Sequence, residues 1–249
     1  DSATFEGRLS RKAKWLLRKE SASAAVSEPP VASHNRMRNY LIPEGVPCPF
    51  LIHQGVMTND GLVRAAHSRK FRQVNRFLEF INDVADLLPT NQTLNVVDFG
   101  CGKSYLTFAT HYLLTTLLQR DCQIFGLDRR PDVVQTCSKI VNELGLTNLQ
   151  FSVGDISGYK SNAAADLVIS LHACDTATDE ALAQAVRWKS RVILAVPCCQ
   201  HELNAHLCRT ALSPLTAYGL TKERFASLAT DSMRASLLTA AGYQTQVLE

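Results

Sequence analysis

The sequence lacks several features that would assign a function class directly. Its 249 residues contain no apolar run near the roughly 18 residues that a membrane-spanning helix needs. It has no C-x-x-C pairs typical of structural zinc sites, although it contains eight cysteines, and no secretory signal pattern is visible. The cysteines are scattered through apolar segments, as buried thiols are. This usage favours a reducing, cytoplasmic environment over a disulfide framework.

The net charge is also small, at +3, but it is unevenly distributed along the chain. From Arg8 to Arg76 there are 13 Lys and Arg residues against four Asp and Glu residues. This part therefore carries +9, and the rest of the chain carries −6. Positive charge concentrated in one part of a chain is typical of a surface that binds a polyanion. A basic surface that is merely solvated is the alternative.

The N-terminal part divides into two segments by composition. Residues 1–33 combine a basic stretch, RLSRKAKWLLRK, with an Ala-, Ser- and Pro-rich stretch typical of a flexible linker. Apolar residues recur at helical spacing over 9–17, which predicts a short amphipathic helix. Residues 34–90 hold apolar side chains among prolines and glycines, so they predict a packed irregular extension that ends in a helix over about 68–88.

From residue 91 to residue 249, short apolar runs alternate with amphipathic segments. Strands are predicted at 94–99, 122–127, 149–153, 166–171 and 191–196, and helices at 103–119, 131–144, 176–187, 201–212 and 221–241. Repeated strand–helix units predict an α/β fold with a doubly wound, mostly parallel sheet. Its functional site should lie at the carboxyl ends of the strands. A strand over 244–248 would have no strand after it to pair with, so the last strand of the sheet is expected to be missing.

The segment LNVVDFGCGKSYLTFA joins the first of these strands to its helix through a turn that contains Gly100 and Gly102. Such a strand–turn–helix unit is the usual cradle of a nucleotide-like cofactor. A phosphate-binding loop would need glycine at Val97, and a dinucleotide fingerprint would need Gly or Ala at Tyr105. Asp98 before a simple G-x-G instead favours S-adenosylmethionine, because the sulfonium and ammonium groups of this cofactor are cationic. An ordinary glycine-rich turn is the alternative.

Two further strands also end in a carboxylate. Asp128 ends the second strand, where it can accept hydrogen bonds from both ribose hydroxyls. Asp155 follows the third strand, where it can accept a hydrogen bond from the adenine amino group. Carboxylates at three corresponding strand ends strengthen the cofactor prediction. The residues predicted to bind the cofactor are Asp98, Gly100, Cys101, Gly102, Asp128, Arg129, Gly154, Asp155, Ile156 and Leu171.

The fourth and fifth predicted strands are each followed by an unusual concentration of His and Cys, in SLHACDTATDEAL and AVPCCQHEL. Neighbouring parallel strands would bring these side chains around one cleft. A zinc site, a nucleophilic cysteine that attacks a pyrimidine, and a substrate pocket without metal remain open; we favour the last. Buried thiols beside a helix capped by Asp175 or Thr176 are a purely structural alternative. The residues predicted to face substrate or act in catalysis are His172, Asp175, Cys198, Cys199 and His201, with Cys174 beside them.

Several blocks of the sequence occur together in an order that resembles a known family. VVDFGCGKSYLTFA, SLHACDTATDEAL and AVPCCQHEL resemble the class I S-adenosylmethionine-dependent methyltransferase domain of the methyltransferase-like superfamily. The upstream blocks HNRMRNYLIPEG, PFLIHQGVM and KFRQVNRFLEFI resemble its bacterial branch. The two His- and Cys-rich blocks are also similar to the eukaryotic tRNA acceptor-stem 2′-O-methyltransferase. The resemblance covers about Ser33 to the C-terminus and implies a Rossmann-like fold, S-adenosylmethionine as cofactor and RNA as substrate.

The resemblance and the charge distribution together predict methyl transfer to RNA, either rRNA or tRNA, without a membrane partner. The residues predicted to bind RNA are Arg36, Arg38, Arg69, Lys70, Arg72 and Arg76. In-line transfer needs positioning, desolvation and at most one base, and we favour Asp175 or His172 for that role. Two alternatives stay open. The protein could methylate a protein or a small molecule, with the basic segment as a structural cap, or it could bind RNA without catalysis on a relict fold.

Overall fold

The computed structural model describes most of the chain in two separate units. It describes residues 5–9, 15–19, 40–156, 164–171, 173, 175–197, 200–207 and 212–248, with backbone alone for the first two ranges. The units are Asp1–Asn39 and Tyr40–Glu249.

In the first unit, two short strands form an antiparallel pair. These are β1 (Phe5–Leu9) and β2 (Trp15–Lys19), with Leu9 opposite Trp15. The amphipathic helix predicted over 9–17 is therefore wrong. A helix shorter than about 12–15 residues is only marginally stable in water, whereas paired strands satisfy each other's backbone hydrogen bonds and suit Phe, Trp and Leu side chains. The predicted linker, from residue 20 onwards, lies outside the described residues.

A five-stranded parallel sheet forms the centre of the second unit. Its strands are β3 (Leu94–Phe99), β4 (Cys122–Asp128), β5 (Leu149–Val153), β6 (Leu167–Ser170) and β7 (Val192–Ala195). Their spatial order is β5-β4-β3-β6-β7, and every neighbouring pair is parallel. The chain proceeds outward from β3 to β5 and then returns to the other side of β3, so the winding reverses between β3 and β6. This order confirms the predicted doubly wound, Rossmann-like sheet.

Eight α-helices accompany the sheet within the described residues. They are α1 (Pro49–His53), α2 (Ser68–Val84), α3 (Tyr105–Tyr112), α4 (Pro131–Leu144), α5 (Thr176–Trp188), α6 (His201–His206), α7 (Ser213–Thr216) and α8 (Gly219–Ala240). Short 3₁₀ helices at Ala65–His67 and Ala85–Leu87 flank α2, and a π-helical turn at Leu113–Leu117 extends α3. Pro131 begins α4 and Gly145 ends it in the left-handed conformation, as the sequence predicts. None of the described helices has both the length and the apolar composition of a bilayer-crossing segment.

The alternation of side chains along β3 creates two hydrophobic cores. Val96 belongs to a core that includes Phe108 of α3, whereas the next residue, Val97, belongs to a second core with Ala181 of α5. The first core also takes in α2 and α4, so these helices cover one face of the sheet and α5 covers the other. Burial on both faces explains why the strands appear in the sequence as nearly continuous apolar runs.

From Tyr40 onwards, the segment before α2 has the packed irregular structure that the sequence predicts. Ile42, Leu51 and Met57 are buried in the same core as α2. The side-chain oxygen of Asn75, on α2, accepts a hydrogen bond from the Ile42 N–H at 2.8 Å, and Asn75 is fully buried. This bond fixes the beginning of the segment against α2. The first turns of α2 also form part of the wall of a cavity.

One predicted strand and two predicted helix boundaries are wrong. The predicted strand over 244–248 is irregular chain after α8 and, among the described residues, pairs with no strand. A short apolar segment forms a strand only where a ladder partner lies alongside it. The helix predicted over 201–212 ends at His206. The helix predicted over 103–119 begins at Tyr105, because the preceding residue, Ser104, has a left-handed backbone with φ of 56°.

We expect Gly126→Ala to destabilise the sheet beside the site. A Cβ atom at Gly126 would lie 2.4 Å from two ring carbons of Phe151, a ring that also packs against Phe108 with centroids 5.6 Å apart. Overpacking of this kind costs about 1–3 kcal/mol, a loss measurable by urea denaturation. Gly219→Ala is the matched control, because nothing lies within 4 Å of the added atom. Equal stability of the two variants would contradict the close approach of β4 and β5.

Candidate functional site

A cavity of about 870 Å³ opens at the carboxyl ends of β3, β4, β5 and β6. Open α/β sheets bind ligands at this position, where the winding of the sheet reverses. The cavity walls come from the glycine turn after β3, the ends of β4 and β5, the segment after β6 and the first turns of α2. All ten residues that the sequence predicts to bind the cofactor line this one cavity.

The glycine turn after β3 is fastened to the end of β4. Gly100 and Gly102 have φ values of 68° and 55°, in the left-handed region that favours glycine. The N–H groups of Gly100 and Cys101 donate to the Leu127 carbonyl at 2.8 and 3.0 Å. The Gly102 N–H donates to the Asp128 carboxylate at 2.9 Å. The turn therefore has a defined shape that depends on residues of the neighbouring strand.

The Asp128 carboxylate is the main link between this turn and β4. One of its oxygens accepts the Gly102 N–H, and the other accepts the N–H and Nε–H of Arg130 at 3.0 and 3.4 Å. A carboxylate offers about four lone-pair positions, so acceptor capacity remains for a ligand hydroxyl. The predicted contact with ribose stays a prediction. The role of Asp128 in holding the turn was not visible in the sequence.

Asp98 places an incompletely satisfied carboxylate in the cavity wall. It is 1% exposed, and its Oδ2 accepts a hydrogen bond from the Thr107 hydroxyl at 2.5 Å. Its Oδ1 is buried and has no hydrogen-bond partner among the described residues. Burial raises the pKa of Asp98 to about 7; the Thr107 hydrogen bond opposes this shift, and the negative charge of Asp128 adds to it. A buried acceptor of this kind suits a cationic or hydrogen-bond-donating ligand group.

The two thiols near the turn are packing groups. Cys101 lines the cavity but is buried, and the Cys137 thiol donates to the Ser104 hydroxyl at 3.2 Å. Burial raises the pKa of both thiols above its ordinary value. A nucleophilic cysteine needs a lowered pKa and access to solvent, so neither thiol has the character of a nucleophile.

Cationic side chains also line the cavity, and several of them were not predicted as part of the cofactor site. The Lys70 ammonium, on α2, donates to Gln73 Oε1 at 3.0 Å and lies 4.8 Å from the ring centroid of Tyr105. Lys103 and Arg130 line the same cavity. Sequence reasoning missed the contact of Lys70 because it depends on how α2 packs beside the glycine turn. The cavity residues outside the prediction are His67, Lys70, Gln73, Lys103, Ser104, Tyr105, Leu106, Leu127, Arg130, Ala173 and Ala177.

Residues 69–206, more than half of the chain, match the model of a protein family described as a methyltransferase domain. The chain belongs to this methyltransferase family. It is also similar to a Drosophila melanogaster protein, the glutathione S-transferase C-terminal domain-containing protein homolog. The two are 35% identical over 112 residues, which cover 43% of this chain and 17% of that protein. The methyltransferase chain thus spans 17% of the length of this relative.

Solved methyltransferase structures are similar to about half of the chain. Coclaurine N-methyltransferase bound to N-methylheliamine and S-adenosylhomocysteine is 12% identical over 50% of this chain and 33% of its own, with a TM-score of 0.38. An S-adenosylmethionine-dependent methyltransferase from Clostridium acetobutylicum is 17% identical over 47% of this chain and 45% of its own, with a TM-score of 0.34. An rRNA methylase from Streptococcus thermophilus is 14% identical over 46% of this chain and 63% of its own, also with a TM-score of 0.34. The family assignment rests on the sequence match.

S-adenosylmethionine is the cofactor of this methyltransferase domain. When bound, it supplies a methyl group on a positively charged sulfur. The residues of the cavity fit this group, because the open Oδ1 of Asp98 is an acceptor for a cationic donor and Asp128 retains acceptor capacity for hydroxyls. Asp155 lines the cavity beyond β5, where the sequence predicts a contact with adenine. The three predicted carboxylates therefore all line one cavity of the methyltransferase.

The structure describes part of the predicted substrate side of the methyltransferase. His172, Cys174, Cys198 and Cys199 lie outside the described residues. Asp175 occupies the N-cap position of α5, but the predicted cap is not formed, because its carboxylate instead accepts the Glu202 N–H at 3.2 Å. Glu202 directly follows His201, which is exposed at the start of α6. This bond places Asp175 against the first turn of α6, the helix that begins at His201. Within the described residues, no three His, Cys, Asp or Glu side chains form a metal-binding group.

A buried arginine on α8 holds the same two segments. Arg234 is 7% exposed, and it donates to the Asp179 carboxylate at 2.7 and 2.9 Å and to the Asp175 carbonyl at 2.9 Å. It also donates to Asp231 at 3.2 Å, and Asp231 accepts from the Gln200 amide at 3.4 Å. The segment after β6 and the segment after β7 are thus both tied to α8. Sequence reasoning missed this cluster because its members lie far apart along the chain.

Arg234→Met should destabilise the methyltransferase by about 2 kcal/mol, because hydrogen bonds to charged groups are lost and the Asp175 carbonyl loses a donor. Urea denaturation measures this change. Arg224→Met, an exposed position on the same helix, is the matched control and should leave stability within about 0.5 kcal/mol of wild type. Similar effects of the two substitutions would show that Arg234 does not hold the two segments.

Asp98 should make stability depend on pH in a defined window. In the unfolded chain Asp98 ionises near its ordinary pKa of 3.8, whereas in the folded protein its pKa is about 7. Between these values the unfolded state binds fewer protons, so the stability of wild type relative to Asp98→Asn should fall as pH rises and level off above about 7. Urea denaturation of both proteins across this range measures the difference.

Thr107→Val provides the companion test, because it removes the hydrogen bond that lowers the pKa of Asp98. The window of falling stability should then extend to higher pH. A stability difference between wild type and Asp98→Asn that stays constant with pH would contradict the buried, protonated carboxyl group.

Proposed function

We propose that this methyltransferase transfers a methyl group from S-adenosylmethionine to RNA, either rRNA or tRNA. The observation that carries the proposal is the basic surface of α2 beside the cavity. Arg69, Arg72 and Arg76 are exposed and recur at positions i, i+3 and i+7, which lie on one face of a helix. Lys70, on an adjoining face, lines the cavity itself. A row of arginines of this kind suits the phosphates of an RNA strand whose target nucleotide enters the cavity.

Two more arginines extend this positive surface at the cavity. Arg129 and Arg130 follow β4, are exposed and line the cavity. Arg76 already interacts with Glu79 at 2.7 Å and with the ring of Phe80, so its side chain is held along the helix while remaining 61% exposed. Arg36 and Arg38, which complete the predicted RNA-binding set, lie outside the described residues.

For the chemistry, we assign the segment after β6 to the acceptor nucleotide. In-line methyl transfer requires that the acceptor atom be positioned and freed of water, with at most one group to orient or deprotonate it. Asp175 and His172 are our candidates for that group. The contact from Asp175 to α6 and the contacts from Arg234 would then give this segment the rigidity that positioning needs.

One observation favours a second candidate function. His67, Lys70 and Gln73 form part of the cavity wall, so α2 also acts as a cap on the site. A capped cavity suits a small molecule or a protein side chain as methyl acceptor, and the exposed arginines would then be a solvated surface. A non-catalytic RNA-binding protein is the remaining alternative, and it predicts that S-adenosylhomocysteine does not bind.

The RNA proposal predicts that R69Q/R72Q weakens RNA binding in a salt-dependent way. Each arginine that contacts a phosphate should contribute about 0.7 to the slope of log affinity against log salt concentration for a single strand. Fluorescence anisotropy with a labelled single-stranded RNA measures this slope. The matched control is R187Q/R224Q, which removes two exposed arginines from α5 and α8.

A labelled methyl donor incubated with total RNA, total protein and small-molecule fractions identifies the acceptor class. Label in RNA that is reduced in R69Q/R72Q and retained in R187Q/R224Q would support the proposal. Label in protein or small molecules alone, with equal RNA affinity for both double variants, would overturn it in favour of the capped-cavity alternative.

A further inference from the structure

The cavity presents groups of opposite charge around the glycine turn. On the sheet side, Asp98 offers a buried oxygen without a hydrogen-bond partner among the described residues. The cationic residues Lys70 and Lys103 line the same cavity. Lys103 directly follows Gly102, so one of the two cations belongs to the turn and the other to α2. This arrangement needs an explanation that the RNA-binding surface does not provide.

Lys70 is held over the turn and does not extend freely into solvent. Its ammonium donates to Gln73, and it lies against the ring of Tyr105, the first residue of α3. A cation on an aromatic face is stabilised by the ring quadrupole and is fixed in direction. Partial burial and repulsion from the charge of Lys103 lower the pKa of Lys70. Both lysines thus line one cavity, where their like charges repel.

Neither lysine has an ion-pair partner within the described part of the chain. Among the described residues, no Asp or Glu oxygen lies within 4.0 Å of either ammonium. Two like charges held close together are stabilised when a ligand anion binds between them. The pair therefore has the character of a site for a single carboxylate or phosphate group.

The cofactor carries such an anion next to a cation. Its amino-acid end has an ammonium and a carboxylate on the same carbon atom, and Asp98 is available for a cationic donor. We infer that Lys70 and Lys103 form an anion site that binds the carboxylate of the cofactor's amino-acid end, while Asp98 receives the ammonium. This inference rests on the proposed methyltransferase function, and it moves Lys70 from the predicted RNA-binding set to the cofactor site.

The position of Lys70 distinguishes it from its basic neighbours. Arg69 and Arg72 are exposed and do not line the cavity, whereas Lys70 does. An RNA phosphate would be expected to contact the exposed residues first. A carboxylate inside the cavity instead reaches the two ammonium groups beside the glycine turn. The site also gives α2 a direct role in holding the cofactor, in addition to covering it.

The test compares two ligands that differ only in the carboxylate. S-adenosylhomocysteine carries it, and the decarboxylated analogue S-adenosyl-3-thiopropylamine keeps the adenosine, the sulfur and the ammonium. Calorimetric titration should show that wild type binds the first at least about tenfold more tightly, the effect of one charge-assisted contact. In K70Q/K103Q this ratio should approach one, with unchanged affinity for the analogue.

Three matched variants separate the possible causes. Lys139→Gln, on α4 with a side chain that is 76% exposed, removes a lysine outside the cavity and should retain the wild-type ratio. The single variants Lys70→Gln and Lys103→Gln should each give an intermediate ratio. They also keep the test valid if the double variant does not fold, which a thermal melt would reveal.

Several results would overturn the inference. Equal weakening of both ligands in K70Q/K103Q would mean that the lysines only maintain the shape of the cavity. Unchanged S-adenosylhomocysteine binding with weaker RNA binding would return Lys70 to the RNA surface. If neither ligand bound to wild type, the cavity would not be a cofactor site, and the inference would fail with it. The titrations contain no RNA, so a failure of the RNA proposal alone would leave the ligand ratio intact.

Discussion

The hydrogen bonds from the glycine turn to the end of β4 determine what the cavity can bind. Three consecutive N–H groups, from Gly100, Cys101 and Gly102, donate to Leu127 and Asp128. In phosphate-binding loops, N–H groups of this kind point at the ligand. Here they are used inside the protein, so the turn offers a ligand a carboxylate-lined wall with few free donors. That wall suits a cationic cofactor without a pyrophosphate.

The local character of this unit explains why sequence analysis found it. Buried parallel strands give strong apolar runs, and Asp98, Gly100 and Gly102 lie within one short segment, so both the sheet and these cavity-lining residues could be predicted. Predictions failed where a segment was short and isolated, as over 9–17 and 244–248, because pairing partners decide such structure. Contacts between distant elements, such as Lys70 on Tyr105, have no signal in a single sequence.

The two halves of the site are stabilised differently. Neighbouring backbone and carboxylate groups hold the glycine turn of the cavity, whereas long-range bonds from α8 hold the described part of the predicted substrate side. Arg234 and Asp231 together tie Asp175 and Gln200, which follow different strands. The predicted substrate side therefore depends on the packing of α8 against these two segments. The His- and Cys-rich blocks after β6 and β7 show which residue types are present but not how their side chains are arranged. For this reason the sequence left a zinc site, a nucleophilic cysteine and a metal-free substrate pocket open.

The charges of the cavity are arranged in two layers. Carboxylates lie toward the sheet, with Asp98 and Asp128 buried, and cations lie toward α2 and the exposed segment after β4. A buried carboxylate is costly unless a cation compensates it, which is why the pKa of Asp98 is raised without a ligand. A ligand group with positive charge would compensate the inner layer, and a group with negative charge would meet the outer layer. The cavity therefore suits a ligand that carries both signs of charge, with its cation toward the sheet and its anion toward α2.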